Sequence, residues 1–257
     1  MEIPRSVRSK LDRAQQHIDT LLAEIDAFDR RKPYAFMQDH NAEMTEHYLH
    51  LLLVEPFPDA AWGCILGDAV HNLRSALDHL VYAIAVRRNK GGDPPPDERR
   101  LMFPIFDPPK PLPMGKVKTL GDEVGAAIEA EQPDPAQLVN SALWTLDQLD
   151  IADKHRAIRV ALLYSDTGAF TVRPEPIDKR WNQRPFSGKA PFFTAVYDRP
   201  VAEVEMESAG TGLVGIEGIE PTPDPDTAIF WPMGNLTAFL RAGVDGIIER
   251  VGTAAGL

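Results

Sequence analysis

Between Pro58 and the pair Gly91-Gly92 the sequence predicts one helix of about 30 residues, and the rest of the chain has to be arranged around it. Pro58-Asp59 opens it, with Asp59 as the candidate N-cap. Arg87, Arg88 and Lys90 crowd its end, where cations oppose the helix dipole and glycine supplies the left-handed cap. Within it, Ala69, Leu73, Ala76, Leu77, Leu80 and Ile84 fall on one face. Asp68, His71, Asn72, Ser75, Asp78, His79 and Tyr82 fall on the other. Solvated helix faces are usually filled with Lys, Glu and Arg. This one carries groups that exchange protons or form directed hydrogen bonds.

The flanking segments read as follows. Val7, Leu11, Ala14, Ile18, Leu21, Ile25 and Phe28 step by four and three through residues 5 to about 32, a heptad seam of about three repeats that Pro33 stops. The seam serves either a coiled-coil dimer or packing against another helix of the same chain. Residues 34–39 and 45–54, separated by Asp39-His40-Asn41, predict a β-hairpin, and His47 and His50 on its second strand receive no role. Residues 91–117 are too rich in proline for regular structure, though Phe103-Pro104-Ile105-Phe106 is apolar enough to tuck onto a core. A short helix is expected over 119–131. A longer one is expected from Asp134-Pro135 to about Tyr164, with Leu138, Ala142, Leu149, Val160 and Leu163 as its stripe and Asp153 and Arg156 interrupting it.

From 168 to 231 the pattern turns to β. Strands are expected at 169–172, 192–197, 201–206, 213–216 and 228–231, with an exposed loop over 174–190. A last helix covers about 234–252. The sum is an α+β fold in one domain, 1–257: long helices (about 1–32, 58–90, 118–165 and 234–252) packed on an antiparallel sheet, with the N-terminal helix and hairpin preceding the central motif helix.

A net charge of -11 argues against broad binding to nucleic acid or an anionic membrane and leaves only a local patch for RNA. The single cysteine, Cys64, sits among Trp62, Ile65 and Leu66 and reads as a buried, inert thiol in a reducing compartment. No apolar run approaches a membrane span and the N-terminus lacks a signal-peptide apolar region, so a cytoplasmic protein without a membrane partner is expected. Nucleotide-binding glycine loops, a hydrolase elbow and cysteine clusters are missing from the sequence. His71 and His79 lie about 12 Å apart along a helix, too far to share one ion, so neither a metal nor another cofactor is expected.

Arg74-x4-His79 resembles the R-x4-6-H motif of the HEPN superfamily, helical domains that include metal-independent ribonucleases. The resemblance implies an RNA substrate, with His79 as acid/base at the 2'-hydroxyl, Arg74 as phosphate clamp, and Asn72 and Ser75 as supporting hydrogen-bond groups. Five residues on a helix place Arg74 and His79 on different sides. The same residues also read as an Arg74–Asp78 ion pair beside a hydrogen-bonded His79.

A wider resemblance rests on His71-Asn72-Leu73-Arg74-Ser75-Ala76-Leu77-Asp78-His79 together with Asp153-Lys154-His155-Arg156. The two motifs, with Phe-Pro-Ile-Phe between them, are similar to a family of uncharacterised bacterial proteins. That likeness implies no activity. It implies that the two motif helices meet, which would let Arg74 or Arg156 pair with Asp153 or Asp78; His71, Asp78, Tyr82, Asp153, His155 and Arg156 are the supporting residues expected around the site. A ribonuclease and a non-catalytic ligand-binding or scaffold protein therefore stand as rival readings, with a homodimer through helices as a further expectation.

Overall fold

The computed structural model describes residues 2–105, 120–165, 170–181, 191–207, 211–217 and 230–257. Helix α1 (Arg5–Arg30) lies antiparallel to α2 (Asp59–Arg88): Lys10 reaches Asn72 near one end and Glu24 accepts from Trp62 Nε1 near the other. The heptad seam is spent here, because Val7, Leu11, Ala14, Ile18, Leu21 and Phe28 are buried within the chain's own core. Phe28, Phe57 and Trp62 meet edge to face with ring centroids 5.3–5.9 Å apart, which fixes where the hairpin hands over to α2.

Strands β1 (Tyr34–His40) and β2 (Glu46–Leu53) form the expected hairpin. β2 alternates strictly, and its inward residues serve two cores: Leu51 joins the helical cluster, while Leu49 joins a second cluster with Val172, Phe193 and Met206. The second cluster lies under a four-stranded antiparallel sheet in the order β1-β2-β6-β5, where β5 is Asp178–Trp181 and β6 is Phe193–Val196. The residues expected as an exposed loop over 174–190 thus include an edge strand, while 182–190 fall outside the described residues. Its Asp178, Lys179 and Arg180 masked the β pattern, which pairing with β6 supplies.

α2 ends as the composition requires. Gly91 takes φ +84° and donates its N–H to Val86 O. At the other end Asp59 is no side-chain cap; it lies in the first turn, where its charge complements the dipole. Cys64, expected to be buried, is exposed, because it falls on the same stripe of α2 as the exposed Ala61, Asp68 and His71. The proline-rich stretch is described as far as Ile105 and carries one short 3-10 turn, Glu98–Arg100. Phe103 is fully buried, as its apolar setting suggested; Phe106 lies outside the described residues.

The expected helix from Asp134 to Tyr164 divides. Asp134 Oδ1 accepts the Ala136 N–H and closes only a turn, and a 3-10 turn follows at Leu138–Asn140. The true cap is Ser141, whose Oγ accepts the Trp144 N–H at 3.2 Å. After α3 (Asp122–Ala130), helix α4 therefore runs Ala142–His155, and the aliphatic run beyond it becomes β3 (Val160–Ser165). A non-local partner decides this: β3 pairs antiparallel along its whole length with β8 (Thr211–Glu217), which pairs with β9 (Phe230–Pro232). Two short strands, β4 (Thr171–Arg173) and β7 (Glu205–Glu207), pair separately, so the strands expected at 169–172 and 201–206 shorten. The last helix, α5 (Met233–Ala254), buries Leu236, Leu240, Val244, Ile247, Ile248 and Val251. Its Arg241 reaches Leu11 O and Gln15 on α1, and its Arg250 grips both carboxylate oxygens of Glu131, after α3, with Nε and Nη2.

Candidate functional site

The polar face of α2 resolves into three separate places. The first is a clamp. Arg74 Nη1 donates to Asp78 Oδ1 at 2.6 Å, and Arg74 Nη2 donates to the Phe103 carbonyl at 2.8 Å. The Phe103 N–H donates back to Asp78 Oδ1 at 2.7 Å. One helical turn of side chains thus satisfies both backbone groups of a residue in the proline-rich stretch, which offers few N–H donors of its own. The stretch is held at two further points: Tyr82 donates to Asp93, and Gln132 donates to Pro104 O. Arg74 keeps only 12% of its side chain exposed.

The second place is the seam between α2 and α4. Gly63 and Gly67, one turn apart, let the end of α4 come against the α2 backbone: Asp153 lies over Gly67 and the Ile158 carbonyl over Gly63. Asp150, buried to 4% of its side-chain surface, accepts from Lys154 and lies 3.3 Å from His71 Nδ1. Asp153, residue-wise exposed but with its carboxyl pressed on α2, is held above the ordinary carboxylate range by desolvation and by the charges of Asp68 and Asp150, against which His71 and Lys154 act. Asn72 closes the edge, donating to Asp68 O and accepting from Lys10.

The third place is the half-buried row of Ser75 and His79, for which no side-chain hydrogen bond occurs among the described residues. Asp153 meets α2 at Gly67, twelve residues and about 18 Å along the helix from His79, so the two motifs meet but do not converge on Arg74 and His79. Arg74 pairs within its own helix. Arg156 and His155 end α4 as exposed residues, and among the described residues Arg156 pairs with neither Asp153 nor Asp78. Among the described residues no group of three or more His, Cys, Asp or Glu side chains is placed to hold a metal ion.

Sequence reasoning missed Asp150, Lys154 as its partner, and the Phe103 peptide as the object of Arg74. Asp150–Lys154 had a signal, the i,i+4 spacing of opposite charges. Gly63-x3-Gly67 had another, since glycines one turn apart mark close approach of backbone. Among the described residues no helix is long and apolar enough to cross a membrane. No protein-family model, curated protein or solved structure matches the chain.

Proposed function

We propose that this chain is a non-catalytic binding or scaffold protein whose motif residues fix helix register and strap the proline-rich segment to α2. The commitment of Arg74 carries this reading. Both of its terminal nitrogens are engaged, by Asp78 and by Phe103 O, and the side chain is largely buried. A phosphate clamp needs that guanidinium free. The carboxylates of Asp68, Asp150 and Asp153 beside the same helix add repulsion toward RNA. The α1 seam, packed on α2, is not open to a homodimer, so a dimer through helices would use other faces. A reducing cytoplasm suits a chain with one cysteine.

The rival is a ribonuclease using His79, Arg74, Asn72 and Ser75, and the half-buried, unengaged His79 favours it most. Purified chain incubated with RNA separates the two. On the scaffold reading wild type and His79→Ala leave RNA intact, while Arg74→Ala lowers the unfolding midpoint. Cleavage that disappears in His79→Ala at an unchanged midpoint establishes the enzyme instead.

A further inference from the structure

The roles above leave His47 unused, and its surroundings form a second site, built by the β1–β2 hairpin and residues 202–205 with no residue of α2. A cavity of about 240 Å³ opens beside the β1–β2 hairpin, lined by Gln38, Asp39, His40, His47 and residues 202–205. His47 is 6% exposed. Its Nε2 lies 2.9 Å from the Val201 carbonyl. A carbonyl only accepts, so Nε2 carries a proton, and Nδ1, which accepts in that neutral tautomer, has no hydrogen-bond partner among the described residues. His40 likewise donates from Nδ1 to Asn41 O at 2.8 Å, and its Nε2 accepts in that neutral tautomer. Gln38 donates one amide N–H to Met206 O at 3.3 Å, which leaves its second N–H and its carbonyl oxygen. Asp39, Glu203 and Glu205 add carboxylates, and no lysine or arginine lines the space. The His47 ring is held in place by His40 and by Tyr197, whose centroids lie 5.6 and 5.7 Å away.

A cavity lined by three carboxylates and two imidazoles, with no lysine or arginine, favours a ligand that donates hydrogen bonds and carries positive charge. We propose that it binds an organic cation, a primary ammonium or guanidinium group, with Glu203, Glu205 and Asp39 supplying charge and His47 Nδ1 a directed acceptor. This reading is independent of the role given to Arg74. The cation comes either from a small amine or from a lysine or arginine side chain of a partner protein.

The test follows the His47 ring signals of the full chain by NMR while 1,4-diaminobutane, or a short end-capped lysine peptide, is added. Sodium chloride at matched ionic strength is the control. A saturable shift is expected with at least one probe. Glu203→Gln/Glu205→Gln, both at exposed positions, weakens that binding about tenfold. If the double variant lowers the unfolding midpoint, Glu203→Gln alone replaces it and a smaller loss in the same direction is required. Tighter binding of the free diamine supports the site and assigns it to a small amine; tighter binding of the peptide supports it and assigns it to a partner's side chain. No saturable shift with either probe, an equal shift with sodium chloride, or undiminished affinity in the glutamine variants overturns the proposal.

Discussion

Arg74 and Phe103, 29 residues apart, are joined by a 2.8 Å hydrogen bond from guanidinium to backbone carbonyl, and the Phe103 amide returns to Asp78, the ion-pair partner of Arg74. Breaking this ring of contacts leaves buried groups unpaired. Arg74→Ala should lower unfolding free energy by about 2–4 kcal/mol, and Arg74→Lys should recover only part of it, because an ammonium cannot serve both acceptors in the guanidinium's fork geometry. Phe103→Ala empties a fully buried site and should cost about 3–5 kcal/mol. Urea denaturation of the three variants checks the order.

Two glycines on α2 answer differently to the same substitution. A Cβ at Gly63 would stand 2.7 Å from the Ile158 carbonyl, which is backbone, whereas at Gly67 it would stand 2.0 Å from Asp153 Oδ1, the end of a side chain that can swing into solvent. Alanine gains up to ~1 kcal/mol in a helix interior. Gly67→Ala should therefore be close to neutral, and Gly63→Ala should destabilise by about 1–3 kcal/mol as α2 and the chain after α4 are forced apart. Thermal midpoints that rank the two in reverse would refute this account of the seam.

Asp153 supplies a pH prediction whose sign runs against the usual one for a carboxylate. Its pKa is raised in the folded chain, by desolvation first and then by Asp68 and Asp150, so the folded state binds its proton more tightly than the unfolded state does. The stabilisation from that proton is fully present below the ordinary value of 3.8 and is lost as pH rises through the folded value. At neutral pH the ionised carboxylate works against folding. Asp153→Asn should raise the unfolding midpoint at neutral pH, and the gain should fade on acidification toward the ordinary carboxylate range.

Tyr82 donates to Asp93, and that hydrogen bond, with smaller contributions from desolvation and the charges of Asp93 and Glu98, pushes its pKa up to about 12. The interaction is fully present below the ordinary tyrosine value of 10.0 and is lost as pH rises through about 12. A phenolate absorbance titration should show Tyr82 ionising late, and Asp93→Asn should bring it back toward 10.0.

Local chemistry made several elements legible. The heptad seam of α1, the hairpin (though its turn falls at 41–45, with Asp39 and His40 paired in β1), the glycines that close α2 and the apolar stripe of α5 each encode themselves within a few residues. The pairing of opposite charges at Arg74 and Asp78 was legible for the same reason, being one helical turn apart. Asp134-Pro135 shows the limit of that reading: a helix-start signal closes a mere turn when the real cap, Ser141, lies further on.

Tertiary structure decided the rest. Residues 160–165 are a strand because β8 lies alongside them, and 178–181 because β6 does. Asp150 meets His71 across 79 residues, and His47 meets Val201 O across 154. Sequence by itself determined that α1, α2 and α5 are helical and which side chains on α2 are polar, since helical period and capping act between near neighbours. Which of those polar groups stay free, and whether Arg74 is available to a ligand or consumed by the Phe103 peptide, depends on contacts between distant segments. Those contacts form only when burial of the two apolar clusters brings the segments together.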